Sequence, residues 1–110
     1  MQRIYTKGND DSMTRIIDAV TIFDGKTAKV VDVVGGEQVK VQAKGSGTYT
    51  LKGRLNPTYD FDDIAAIKSS DFNKTTTISD NSVWCADVSG YSQITVEADS
   101  VDEVFATIIG

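Results

Sequence analysis

At 110 residues the chain suits one domain and leaves no room for two. Hydrophobic residues at 40% and charged residues at 25% are ordinary for a folded globular body, which argues against disorder throughout. A formal charge of −5, with Lys and Arg spread singly, disfavours nucleic acid and anionic membrane surfaces as partners.

Residues 1–13 read as an extended N-terminal arm before a single domain at 14–110. The arm is polar and has no apolar core of signal-peptide length, and no apolar run in the chain approaches bilayer-spanning length. Synthesis and folding in a cytoplasm are the expectation. Within the arm, Ile4 and Tyr5 are large apolar residues flanked by Gln2, Arg3 and Lys7. A tail gains from such residues when they dock, and strand addition to a neighbouring chain is one way to do so. Ile4 and Tyr5 are therefore candidate partner contacts.

From residue 14 the chain is rich in Val, Ile, Thr and Tyr with Gly at short intervals, which favours strands and tight turns. Residues 15–23 read as a strand, with a short amphipathic helix as the alternative. Asp24-Gly25-Lys26 is a turn. Residues 28–34 form a second strand, broken by Gly35-Gly36. Residues 38–44 alternate, with Val39, Val41 and Ala43 on one face and Lys40, Gln42 and Lys44 on the other, the mark of a half-buried strand. Gly45-Ser46-Gly47 makes a hairpin turn into 48–54, where Gly53 signals a bulge. The only proline, Pro57, marks a turn or edge.

Residues 59–67 fit a helical turn or a strand equally. A loop at 69–74 follows, then a short strand at 75–78 and a turn at Ser79-Asp80-Asn81. Strands at 83–88, 93–98 and 104–109 complete the set. Strand-length segments at roughly ten-residue spacing indicate an all-β, two-sheet antiparallel sandwich or a barrel. The sandwich is the expected fold.

An internal repeat supports that choice. Residues 32–43 align without a gap on 87–98, an offset of 55, with identities at Asp32/Asp87, Val33/Val88, Gly35/Gly90, Gln38/Gln93, Val41/Val96 and Ala43/Ala98. Each copy holds a strand, a Gly-containing turn, an alternating strand, a second turn and a return strand. The expectation is two similar three-strand units that face each other and bury their apolar sides together.

Catalytic and metal chemistry find little support. Histidine is absent, which removes the commonest general base and metal ligand. The lone Cys85 follows Trp84 in a strand and reads as a buried, inert thiol. Asp60, Asp62 and Asp63 lack the spacing of a calcium loop and read as solvated. No catalytic, metal-binding or cofactor-binding residue is expected, and no cofactor. Trp84 reads as core. Tyr91, in a turn, is the aromatic best placed for exposure, and is the third candidate contact; Tyr49 and Tyr59 are further aromatics able to stack on a sugar ring.

The segment Val-Trp-Cys-Ala-Asp-Val-Ser-Gly-Tyr-Ser-Gln-Ile-Thr-Val at 83–96, together with 39–53, resembles the small β-sandwich virion proteins of tailed bacteriophages. Those proteins often carry a Val-Ser-Gly-Tyr turn between two strands and a Gly-Thr-Tyr-Thr-Leu-x-Gly return strand, here 47–53. The likeness covers residues 28–110 and is greatest to head decoration, or cement, proteins. It implies a jelly-roll-like or immunoglobulin-like sandwich, exposed on the virion at the capsid surface. Its implied partner is the major capsid protein, whose neighbouring subunits it would clamp as a homo-oligomer or in symmetric copies on the lattice, without nucleic acid or membrane. The alternative it implies is a tail, baseplate or head-fibre accessory that binds a host carbohydrate. The family has no fixed motif for its contacts, so no functional residue carries over.

Overall fold

The computed structural model describes residues 16–110, with side chains from residue 20 onward. The arm, with Ile4 and Tyr5, lies outside the described residues. Ten strands and no helix are found among the described residues: β1 (Ile16–Phe23), β2 (Val31–Asp32), β3 (Gln38–Lys44), β4 (Thr48–Arg54), β5 (Asp62–Asp63), β6 (Ala66–Lys68), β7 (Lys74–Thr75), β8 (Trp84–Asp87), β9 (Gln93–Asp99) and β10 (Glu103–Ile109). They form a six-stranded sheet in the order β1-β10-β3-β8-β6-β7 and a four-stranded sheet in the order β2-β9-β4-β5. Every pairing between named strands is antiparallel. The two sheets enclose one apolar layer.

The alternating patterns decide which side of each strand faces that layer. In β3 the order is exposed–buried throughout, with Val39, Val41 and Ala43 inside. Tyr49, Leu51 and Gly53 face inward from β4, and Val104, Ala106 and Ile108 from β10. Each fully buried Val or Leu side chain contributes roughly 1.5–3 kcal/mol relative to exposure. A one-residue slip would turn these rows to water, so the apolar pattern fixes the register.

The repeat is present, but its two copies interleave instead of stacking as separate units. In the first copy β2 and β4 belong to the four-stranded sheet and β3 to the six-stranded one. The second copy, β8-β9-β10, does the opposite. Every connection within a copy therefore arches across the core, and Gly45-Ser46-Gly47 is such an arch, not the expected hairpin. Exchanging the copies by the offset of 55 maps Gln38–Ile109 pairing onto Gln93–Arg54, and Lys44–Glu103 onto Asp99–Thr48. Gln38–Asp87 and Val39–Ala86 likewise map onto Gln93–Asp32 and Ile94–Val31. The turns obey the same operation: Gly36 N donates to Val33 O at 2.8 Å and Tyr91 N to Val88 O at 3.0 Å. A strand with one buried face needs a facing sheet, and here each copy supplies both.

One equivalent pair exchanges size across this pseudo-twofold axis. A Cβ on Gly36 would lie 3.0 Å from Ile108 Cγ2, and a Cβ on Gly53 would lie 2.7 Å from Tyr91 Cδ1. Positions 36 and 91 are equivalent, as are 53 and 108. The small residue is on the turn in one copy and on the return strand in the other. Gly53 is thus a regular member of the β4 ladder, paired with Ile94 and Asp62, and not a bulge. Its missing side chain leaves room for the Tyr91 ring.

Other boundaries shift for local reasons. Of the segment 15–23, Ile16–Phe23 is the strand β1, with irregular register against β10 between Ile17 and Val20 and again between Thr21 and Phe23. Only Val31–Asp32 of 28–34 pairs as a strand. The ambiguous 59–67 contributes two short strands, β5 and β6, and no helix. Ile78 is bridged to Tyr49 by two backbone hydrogen bonds of 2.9 and 2.8 Å and does not continue β7.

Tyr49 is fully buried, and its hydroxyl has no hydrogen-bond partner among the described residues. Burial pushes its phenol well above the ordinary value of 10, with the Asp80 carboxylate adding to the effect. An unsatisfied buried hydroxyl is costly, so Tyr49→Phe is expected to leave stability unchanged or raise it by about 1–2 kcal/mol. Urea denaturation with an unchanged m-value checks this. A loss exceeding about 1 kcal/mol would show that the hydroxyl has a partner.

Candidate functional site

Two of the concave surfaces among the described residues are built largely from the segment between the repeat copies. The first is a cleft of about 470 Å³ at the β5 edge, lined by Arg54, Leu55, Asn56, Tyr59, Asp60, Asp62, Gly90 and Tyr91. Asn56-Pro57-Thr58 forms its outer turn as expected: Asn56 Oδ1 accepts from Thr58 N at 2.9 Å and Thr58 Oγ1 at 2.8 Å, and Tyr59 N donates to Asn56 O at 3.0 Å. Arg54 is held on three sides. Its Nε donates to Gln93 Oε1 at 2.9 Å, an Nη to Tyr59 O at 3.1 Å, and the guanidinium lies 4.1 Å from the Phe61 ring centre.

The cleft brings Tyr91 together with Tyr59, which the sequence keeps 32 residues apart. Their exposures reverse the expectation. Tyr91 is half-buried, its ring against Gly53 and the core, whereas Tyr59 is 70% exposed and Leu55 71%. Gly90 borders the same space, and a Cβ there would touch nothing within 4 Å.

The second surface is a groove of about 530 Å³ on the outer face of the six-stranded sheet. Strand pairing sets its floor: Lys40 on β3 lies opposite Cys85 on β8, Cys85 opposite Ile67 on β6, and Ile67 opposite Lys74 on β7. An apolar pair is thus flanked by two lysines. Cys85 is therefore not the buried thiol that the sequence suggests. Trp84 and Ala86 take the inward positions, and the period of two turns Cys85 outward, half-exposed, with Sγ 3.7 Å from Gln38 Oε1.

Phe72 forms one wall of the groove and is 80% exposed. Its φ of 61° lies in the left-handed region, costly for a bulky side chain. The turn enforces it: Phe72 N donates to Lys68 O at 2.8 Å, Lys68 N to Asn73 O at 2.7 Å, and Asp71 Oδ1 accepts from Asn73 N at 3.0 Å. An aromatic held out into solvent on a strained turn is absent from the sequence reading. Only the Asp71-Phe72-Asn73 turn residues hinted at it.

Behind the groove, Asp80 ties the loops down. Its carboxylate accepts from Trp84 Nε1 at 2.8 Å and Ser82 N at 3.1 Å, and pairs with Lys68 Nζ at 3.1 Å. Trp84 is buried, as expected of a core residue. The Trp84 hydrogen bond, then the Lys68 contact, hold the Asp80 carboxyl below the ordinary 3.8, against some desolvation. The Asp60–Asp63 carboxylates lie at the β5 edge, where Lys52 Nζ meets Asp63 Oδ1 at 2.9 Å. No group of three metal-ligating side chains is found among the described residues.

Neither a protein-family model nor a curated protein matches this chain. Two solved structures are similar. SPBc2 prophage-derived protein YomS superposes with a TM-score of 0.75 at 14% identity, over 90% of this chain and 96% of that one. PBSX exported protein XepA superposes with a TM-score of 0.80 at 14% identity, over 92% of this chain and 40% of that one. The likeness is one of fold. The chain matches nearly all of YomS but only about two fifths of XepA's length.

Because the folded Asp80 pKa lies below its unfolded value, its contribution to stability is complete above the ordinary 3.8 and is lost as pH falls through the folded value. Acidification from about pH 6 to about pH 3 should therefore cost the native chain more stability than it costs Asp80→Asn. Fluorescence of Trp84 during urea unfolding reads this directly. Equal losses in the two proteins would refute the role of Asp80.

Proposed function

We propose that the chain is a non-enzymatic structural protein of a bacteriophage particle, decorating the outside of the head and bridging neighbouring major capsid subunits. The observation that carries the phage reading is the fold, whose two structural neighbours are both phage-derived. The finer assignment to the head draws on the resemblance of 39–53 and 83–96 to decoration proteins. A chain without histidine fits a role without acid–base chemistry. A net charge of −5 favours a position away from packaged DNA.

The groove around Phe72 supplies the contact in this reading. Ile67 and Phe72 offer apolar surface to a capsid subunit, and Lys40 and Lys74 favour an acidic rim around it. Contacts of modest strength suffice, because many copies act together on a symmetric lattice.

The protein should co-sediment saturably with assembled, expanded heads of the phage that encodes it, and raise their resistance to heat or chaotrope. Phe72→Gly separates binding from folding. Glycine relieves the positive φ but loosens the unfolded chain, so stability should stay within about 1 kcal/mol. Loss of the ring, which docking would bury, should weaken shell binding about ten- to hundredfold. Absence of co-sedimentation, or equal binding by Phe72→Gly, would defeat the proposal.

A further inference from the structure

The cleft at the β5 edge plays no part in the docking described above, and its chemistry differs from that of the groove. We propose that it is a binding site for a neutral carbohydrate. The inference does not depend on the decoration reading.

Three features point to a sugar. A pyranose has one flat, weakly apolar face and a rim of hydroxyl groups, so its sites combine an exposed aromatic ring with planar polar groups. Tyr59 supplies the ring, 70% exposed at the mouth of the cleft, with Leu55 extending the apolar surface. Asp60 and Asp62 supply carboxylates that accept hydrogen bonds from hydroxyl pairs. Arg54 supplies N–H donors. Two of its five are used by Gln93 and Tyr59 O, which leaves three for a ligand and fixes the direction in which they point.

The site is held in shape before any ligand arrives. Arg54 is clamped between Gln93, the Tyr59 carbonyl and the Phe61 face, and the Asn56 turn fixes the backbone that carries Tyr59. Such pre-organisation lowers the ordering cost that weakens binding of small polar ligands. A volume of about 470 Å³ lies within the range of small-molecule pockets. The lining carries one positive and two negative side chains, so an anionic sugar is repelled and a neutral one is not. Gly90 lines the cleft and leaves open space where a side chain would stand.

Amide chemical shifts of the full chain, titrated with neutral oligosaccharides, test this. The panel is the di- to tetrasaccharides of glucose, galactose, mannose and N-acetylglucosamine, taken to about 10 mM, above the millimolar affinities that correspond to weak single-site binding. At least one should give saturable shifts centred on Tyr59, Asp60, Gly90 and Tyr91. Tyr59→Ala should weaken that binding about tenfold, and Gly90→Phe should abolish it. Both should leave the melting temperature and the Phe72-dependent shell binding unchanged, since Tyr59 is exposed and position 90 is open. Tyr91→Ala is unsuitable, because that ring also packs on Gly53. Oligogalacturonate should bind more weakly than its neutral counterpart. No saturable shift from any member of the panel overturns the proposal, as does binding that survives both variants or that prefers the anionic sugar. Loss of sugar binding with shell binding intact, or the reverse, tells the two proposals apart.

Discussion

Everything in this fold rests on the pairing of β3 with β10 and of β4 with β9. The two ladders share one register, related by the 55-residue offset, and each joins a strand of one repeat copy to a strand of the other. Their inward rows, from Val39 to Ile108 on one side and from Leu51 to Val96 on the other, make up most of the apolar layer. Neither copy has a sheet of its own. The core is a joint product of both, and within it glycine and a large residue trade places, at Gly36/Ile108 and Tyr91/Gly53.

Against that symmetric body, the segment between the copies is where the molecule becomes particular. Residues 55–83 lie between the two copies and outside their matched strands. They supply Tyr59, Asp60 and Asp62 to the cleft, and Ile67, Phe72 and Lys74 to the groove. The copies contribute Lys40 and Cys85, among others, to the groove, and Arg54, Gly90 and Tyr91 to the cleft. A rigid scaffold that leaves its connecting segments free to vary is the usual way in which binding surfaces are added to β-sandwiches.

The sequence was informative wherever one side of a strand meets the core and the other meets water. The alternation of 38–44 and 48–54, the repeat, and the buried Trp84 were all legible for that reason. Sheet membership was not. A turn such as Gly45-Ser46-Gly47 reads alike whether the next strand lies beside the last or across the core, so interleaved copies could not be told from stacked ones. Cys85 was misjudged because its neighbours on both sides, Trp84 and Ala86, claim the interior and periodicity alone decides the rest. The two concave surfaces were illegible for a different reason: Tyr59 with Tyr91, and Lys40 with Phe72, meet only through long-range pairing. Phe72 in particular carries no sequence signal for exposure beyond its turn neighbours Asp71 and Asn73, since aromatic residues are ordinarily read as core.

Interleaving has a consequence for how the chain comes into being. Partners in the two central ladders are separated by 39 residues at the nearest (Arg54 and Gln93) and by 71 at the farthest (Gln38 and Ile109). During synthesis the first copy emerges with its apolar rows complete and nothing to cover them, until the last strand leaves the ribosome. Folding of this kind is slow, and its waiting state offers bare strand edges to other chains. Truncation before residue 93 would therefore leave both sheets unfinished at once, because β9 and β10 each complete a different sheet.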